Sequence, residues 1–308
     1  MSAPGVAEGP GGARDAAPGV GLDAGEGADS DGARREICAR SAGKLDEARR
    51  EIAALGGALI AFSGGADSAL VVRLARDVLG GRAVALTAVS ASLPPGEREA
   101  AEVFCRGLGV RHVIALGGEL SDPRYAKNPE DRCYFCKTEL FALCGREAAR
   151  LGLPYVLDGF NADDRRAHRP GRRAGVEHGV RSPLAEAGLG KEEIRAHSWA
   201  LGLATWDKPA APCLASRIPF GTEITADRLA RVGGAEAALR ELGFSGFRVR
   251  FHGEIARLEV SAEDFSRLLD PRLRREVARR VEAQGFRFVA VDLAPFASGR
   301  LSAAREVR

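Results

Sequence analysis

The stretch AFSGGADSAL, residues 61–70, decides the fold. A short apolar run, GALIAF (57–62), leads into it, and DSALVVRLARDVLG follows with apolar residues at helical spacing, stopping at Gly80–Gly81. The run predicts a buried parallel strand, and the segment after it a helix. Ser63 to Ser68 is then the strand-to-helix turn of an open α/β sheet, where ligands bind beyond the carboxyl ends of strands. Gly64 and Gly65 let the backbone come close to a ligand. N–H groups at a helix start favour an anion such as phosphate, and Ser63 and Ser68 add hydroxyl donors. Asp67 would repel phosphates unless it holds a magnesium ion or caps the helix. No Gly-Lys-Ser/Thr follows, so the loop is not a Walker motif, nor is it the G-x-G-x-x-G dinucleotide fingerprint.

Outward from this loop, strands and helices alternate. AVALTAV (83–89), HVIAL and YVLDG (155–159) read as strands, separated by helices that include PPGEREAAEVFCRGLG and CYFCKTELFALCGREAARLG. That alternation predicts a doubly wound parallel α/β sheet. After residue 222 the order becomes helix, two strands around His252–Gly253, helix, strand, which suggests a smaller C-terminal α+β domain. The expected organisation is a disordered tail over 1–35, an α/β domain over 36–222, an α+β domain over 223–300 and a short tail over 301–308. The tail expectation rests on a first stretch made almost wholly of Gly, Ala, Pro, Asp, Glu and Ser, which offers little to build a core.

The 308 residues suit two domains, and the formal net charge of +3 does not suggest a dedicated nucleic-acid binder. No apolar run reaches the length of a membrane span. The first residues lack the apolar core of a secretory signal, so the expected location is cytoplasmic. Six cysteines are too few for a disulfide scaffold of this length. Cys133 and Cys136, in DRCYFCK (131–137), are three apart at a helix start and face one side. A lone C-x-x-C fits zinc, a dithiol pair or part of an iron–sulfur site. Cys213, in KPAAPCLASRIPFGTEIT, is the best third partner, and nearby Lys208 and Arg217 are expected to lower its pKa. Cys38, Cys105 and Cys144 read as small buried hydrophobes. His168, His178 and His252 show no ligand spacing.

Ser63–Ser68 resembles the SGGxDS signature of the PP-loop ATP pyrophosphatases (the adenine nucleotide α-hydrolase-like fold). The resemblance implies ATP cleaved between its α and β phosphates, pyrophosphate held in the loop and AMP passed to a substrate oxygen. AFSGGADS, NPEDRCYFCKTELF, DGFNADD, RPGRRAGVEHGVRSPLAEAGLGKEEIR, WDKPAAPCLASRIPFGTEIT and FRVRFHGEIARLEV, in this order, resemble the LarE family of ATP-dependent sulfur transferases over about residues 45–300. That family implies adenylation of the carboxylates of pyridinium-3,5-biscarboxylic acid mononucleotide and their conversion to thiocarboxylates, in biosynthesis of the nickel-pincer nucleotide cofactor. It also implies a homo-oligomer, working with a carboxylase/hydrolase and a nickel-insertion enzyme.

The cysteine of CLASR is the family's sulfur donor, here Cys213. In the sacrificial form its Cβ–S bond breaks and leaves dehydroalanine. Members that also carry the CYxC pair resemble [4Fe–4S] enzymes, so the resemblance implies a cluster on Cys133, Cys136 and Cys213, with a sulfide on the open iron. Pro212 departs modestly from the family's small residue. Arg217, Arg248 and Arg250 are candidates to hold the substrate's phosphate and carboxylates, with Arg248 and Arg250 on one strand face. Magnesium would offset phosphate charge. DGFNADD is expected to put Asp163 or Asp164 at the ATP mouth or to use them as loop caps. The rival expectation is a cluster-dependent PP-loop tRNA thiolase, which the modest charge disfavours.

Overall fold

Ala58–Ala61, the apolar run ahead of the glycines, is an inner strand of a four-stranded parallel sheet. The computed structural model describes residues 24–165 and 170–297. The first elements are α1 (Ala24–Ala54), β1 (Ala58–Ala61), α2 (Ala66–Leu79), β2 (Ala83–Val89), α3 (Glu97–Gly107) and β3 (Arg111–Leu116). Then come α4 (Pro123–Ala126), α5 (Arg132–Arg150), β4 (Tyr155–Leu157), α6 (Pro170–Glu177), α7 (Pro183–Glu186) and α8 (Lys191–Ala200). The sheet order is β3-β2-β1-β4, all pairs parallel. The chain steps outward from β1 to β3, then returns to the other side of β1 for β4. The reversal lies between β1 and β4, which puts the ligand crevice of such a sheet beside the glycine loop.

Both faces of β1 are covered, which is why its sequence is uninterruptedly apolar. Ala58 and Ile60 pack with Leu45 and Ile52 of α1, Leu70 and Leu74 of α2 and Ile194 of α8. Leu59 points the other way and packs with Cys144 and Ala148 of α5. Leu59 and Ile60 are fully buried, each contributing about 1.5–3 kcal/mol by that burial.

Helix α1 starts at Ala24 and so takes in the last twelve residues of the expected tail. Composition misled here, and among the described side chains Arg34 anchors this part of the helix. Arg34 stacks over Trp206 at 4.5 Å and Trp199 at 5.7 Å, and donates to Asp31 at 2.7 Å. Residues 1–23 and 301–308 of the expected tails, and His168, lie outside the described residues.

The C-terminal unit comprises α9 (Ala226–Glu241), β5 (Arg248–His252), β6 (Ile255–Glu259), α10 (Ala262–Arg267), α11 (Pro271–Glu282) and β7 (Phe288–Val291). β5 and β6 form an antiparallel hairpin, and β7 returns parallel to β6 after α10 and α11. Helix α10 was not legible in the alternation read from the sequence. Its core joins Leu229, Val232 and Leu239 of α9 to Val249, Phe251 and Leu258 of the hairpin, and it takes in Tyr125, Leu214, Ala215 and Ile218. The boundary expected at 222 thus falls beside a shared core, and the segment after Cys213 packs with the C-terminal unit.

Candidate active site

The glycine loop is built as a cradle. Gly64 has φ +75°, a left-handed conformation that other residues seldom adopt. Ser68 Oγ lies 3.1 Å from Ser63 Oγ and donates to Gly65 O at 3.2 Å, while Ser63 N donates to Ser68 Oγ at 3.3 Å. Gly65 occupies the N-cap of α2, and no side chain caps the helix. Asp67 does not take the capping role that the sequence left open, so the first N–H groups of α2 remain available for an anion. Gly159, just past β4, presses on this turn. A Cβ there would lie 2.6 Å from Ser68 N and 2.9 Å from Ser68 Cα, so only glycine lets β4 close against the start of α2.

Asp67 turns toward β4, where Asn161 Nδ2 donates to its Oδ2 at 3.1 Å. Burial raises the Asp67 pKa, the Asp164 charge raises it further, and Asn161, Lys191 and Arg195 oppose the rise. Asn161 is fully buried and accepts from the backbone N–H of Asp163 and Asp164 at 3.0 and 3.1 Å. The two aspartates of DGFNADD take different partners. Asp163 accepts from Lys191 N at 2.7 Å and caps α8, whereas Asp164 faces Asp67.

Lys208 reaches this loop and not the thiol. Its Nζ donates to Gly64 O at 3.0 Å and to Glu97 Oε2 at 2.7 Å. The expected depression of the Cys213 pKa is reversed as well. Burial raises it, while Arg132 and Arg217 only oppose that rise. The sequence reading missed Lys208 as a loop residue, along with Glu97, Asn161 and Arg132. The signal for Asn161 was present, since a buried Asn two residues after Gly159 in a strand-end loop suits an Asx turn.

The three cysteines converge. Cys133 and Cys136 occupy the first turns of α5, and Cys213 opens a 3-10 turn over Leu214–Arg217. Cys133 is exposed, and Cys136 and Cys213 are half-buried against one core. Cys136 is pushed up to about 12 by burial, with the Cys213 charge adding to it. Burial, then Cys213, raises Tyr125, whose OH lies 2.9 Å from Ser92 Oγ. Among the described residues no three His, Cys, Asp or Glu are disposed to hold a single metal ion. Cys136 and Cys213 pack against one core with Cys133 one helical turn before Cys136, and the ligands of an iron–sulfur cluster, unlike those of a single ion, sit on separate irons. Cys105 and Cys144 are buried, as expected of small hydrophobes; Cys38 is only half-buried.

Asn128 clasps the two thiol-bearing segments. It is fully buried at φ +56°, and its Nδ2 donates to Pro219 O at 2.8 Å and Thr222 O at 2.9 Å. Its Oδ1 accepts from Arg132 Nη1 at 2.9 Å, and Arg132 stacks over Phe220 at 4.5 Å. The start of α5 is thereby tied to the chain just after Cys213.

The three arginines proposed as substrate ligands are not equivalent. Arg217 binds Glu236 through two N–H groups at 2.8 and 2.9 Å, and its Nη1 donates to Pro212 O and Ser216 Oγ. Arg250 binds Glu259 Oε2 at 3.0 and 2.7 Å and Ser216 O at 3.0 Å. Both guanidinium groups are buried and committed to internal acceptors, so here they brace the Cys213 segment on the C-terminal sheet. Arg248 forms no ion pair with a described carboxylate. It donates to Phe247 O and Ala210 O and stacks over Phe296, while burial and the Arg217 charge lower its pKa. It is the one of the three with charge left for an anion.

Among the described residues no helix is both long and apolar enough to cross a membrane. No family model matches the chain. An uncharacterized protein of Synechocystis is 46% identical over 259 residues, covering 84% of this chain and 97% of that protein. An uncharacterized protein of Methanocaldococcus jannaschii is 30% identical over 167 residues, 54% of this chain and 64% of that protein. The pyridinium-3,5-bisthiocarboxylic acid mononucleotide synthase of Lactiplantibacillus plantarum is 39% identical over 247 residues, 79% of this chain and 88% of the enzyme. With that identity carried across nearly the whole enzyme, the chain belongs to the LarE family.

Proposed function

We propose that this chain is an ATP-dependent sulfur transferase that adenylates the carboxylates of pyridinium-3,5-biscarboxylic acid mononucleotide and converts them to thiocarboxylates. A carboxylate is a poor electrophile. Its oxygen attacks the α-phosphorus of ATP, pyrophosphate leaves into the cradle of Ser63, Gly64, Gly65 and Ser68, and an acyl-adenylate results. A sulfur nucleophile then attacks the acyl carbon, and AMP departs with the former carboxylate oxygen. Asp67, and Asp164 whose charge raises the Asp67 pKa, would hold the Mg2+ that offsets phosphate charge. Arg248 would meet the substrate's anionic groups.

Cys133, Cys136 and Cys213 would hold a [4Fe–4S] cluster. When bound, it supplies an iron corner without a protein ligand, a place for exchangeable sulfide. In that arrangement Cys213 is a ligand and is not consumed. Product would pass to the nickel-insertion enzyme, substrate would come from the carboxylase/hydrolase, and the chain would act in the cytoplasm as a homo-oligomer.

The uncapped α2 start bearing two serine hydroxyls, on a chain 39% identical to a bisthiocarboxylate synthase, carries this reading. The experiment is anaerobic purification with iron and sulfide analysis, then incubation with ATP, Mg2+ and the pyridinium dicarboxylate nucleotide. AMP, pyrophosphate and a product bearing the mass of an oxygen-to-sulfur exchange are expected, with Cys213 intact by mass spectrometry. Absence of both AMP and thiolated product refutes the activity. Loss of hydrogen sulfide from Cys213 in iron-free protein refutes the cluster while leaving the transfer. Thiolation of tRNA, with binding that falls steeply with salt, would support the thiolase instead.

A further inference from the structure

Lys208 lies five residues before Cys213 in the chain, yet its side chain ends on the glycine loop. A Cβ on Gly64 would meet Glu97 Oε2 at 3.3 Å and Lys208 Nζ at 3.6 Å, so both charges lie against the loop backbone. The ammonium has three donors, and two are engaged, by Gly64 O and Glu97. Among the described residues no other cationic side chain bonds to the backbone of Ser63–Ser68. The Lys208 backbone is itself fixed. Arg195 of α8 donates Nη1 to Trp206 O at 3.0 Å and Nη2 to Lys208 O at 2.8 Å. Beyond Cys213, Leu214 N donates to Ser92 O at 2.8 Å. The segment that carries the sulfur residue is therefore pinned at one end by the pyrophosphate loop and at the other by the chain after β2.

We propose that Lys208 is the cation that contacts the phosphates of bound ATP, and that through it nucleotide occupancy restrains the segment carrying Cys213. This rests on the ATP-dependent activity proposed above. The third N–H of the ammonium donates to a phosphate oxygen while Glu97 keeps the amine in place. Charge of the right sign is then supplied where Asp67 supplies the wrong one. Holding Lys208 on both loop and ligand draws residues 208–213 tighter to the loop, so sulfur chemistry is set in register only when ATP is present.

The test uses the full chain, Mg2+ and the α,β-methylene analogue of ATP, which is not cleaved. Calorimetry on the native protein, Lys208→Met and Lys208→Arg gives affinities. Lys208→Met is expected to bind about 10- to 100-fold more weakly, the effect of one charge-assisted hydrogen bond, and Lys208→Arg to recover part of that. Iodoacetamide labelling of the full chain in its iron-free form, where the Cys213 thiol is not an iron ligand, is read on the Cys213 peptide and gives the coupling. The analogue is expected to slow labelling of Cys213 by roughly fivefold in the native chain, as for a single added hydrogen bond, and to have no effect in Lys208→Met at saturating analogue. Equal affinity of native and Lys208→Met overturns the phosphate contact, leaving Lys208 a latch on the empty loop. Undiminished protection in saturated Lys208→Met overturns the coupling. A native chain that binds no analogue overturns the ATP reading and this inference with it.

Discussion

Gly159→Ala tests whether the start of α2 is the seat of ATP chemistry. The added methyl would fall 2.6 Å from Ser68 N, 2.9 Å from Ser68 Cα and 3.1 Å from the Asp67 carbonyl carbon. All three are backbone atoms of the helix turn that forms the cradle, so no side chain can swing aside. Ordinary carbon contacts lie at about 3.5–4.0 Å, so the turn and the end of β4 must part by roughly 1 Å. Overpacking of that size costs about 1–3 kcal/mol of stability. Misplacing reacting groups by about 1 Å costs on the order of 100-fold in rate. Gly159 has no left-handed φ, so its backbone accepts alanine and the effect isolates contact. The assay is pyrophosphate–ATP exchange with the dicarboxylate nucleotide present, alongside urea unfolding. Gly175→Ala is the control, because from within α6 its Cβ would meet Phe141 Cε2 at 3.5 Å, Phe141 Cζ at 3.9 Å and Asp158 Oδ2 at 4.0 Å, all ordinary contacts. It should unfold at the native urea midpoint or slightly above it. Near-native exchange in Gly159→Ala would refute the placement of pyrophosphate at this turn.

Three further outcomes are expected. Glu236→Gln leaves Arg217 buried without its carboxylate, where the two side chains are 2% and 3% exposed; it should lose about 3–5 kcal/mol of stability in urea. Asp67→Asn should raise the urea midpoint of the ligand-free chain at neutral pH while abolishing Mg2+-dependent AMP formation. Burial raises the Asp67 pKa in the folded chain, so the folded state binds that proton more tightly and stability falls as pH rises from the usual aspartate range through the folded value. The gain from Asn should therefore vanish in acid, and a midpoint difference independent of pH counts against it. After anaerobic reconstitution, Cys133→Ser, Cys136→Ser and Cys213→Ser should each lower bound iron. Cys105→Ser and Cys144→Ser should not, and equal iron in all five rules out the cluster.

What could be read from the sequence follows from how local the constraint is. The Ser63–Ser68 loop was legible because strand, glycines and helix are consecutive, and the sheet order then put β4 beside it. Cys133 and Cys136 were legible because their helical spacing is local. Arg34 holding twelve extra residues of α1 against Trp199 and Trp206 was not, since its partners lie more than 160 positions away. Composition around Arg34 spoke only of a tail.

Arginine and lysine were the hardest to place, for a physical reason. A long cationic side chain near a nucleophile in sequence looks like its activator, yet its head group travels to whichever buried acceptor needs it. Arg217 goes to Glu236, nineteen residues on, and Arg250 to its hairpin neighbour Glu259. Both anions are buried, so the pairs are enforced by the cost of leaving either charge alone. Lys208 goes to Gly64 and Glu97, more than 100 residues back. Of these cations, Arg248, beside the C-terminal sheet, faces no described carboxylate as an ion-pair partner, and Lys208 keeps one ammonium N–H on the glycine loop. Cys213 lies between them in the chain, on the segment that Lys208 and the Arg217–Glu236 pair anchor from opposite ends. On the proposed reading, that placement would let a sulfur nucleophile near Cys213 reach an acyl-adenylate whose phosphate end would lie on the glycine loop and whose other anionic groups would meet Arg248.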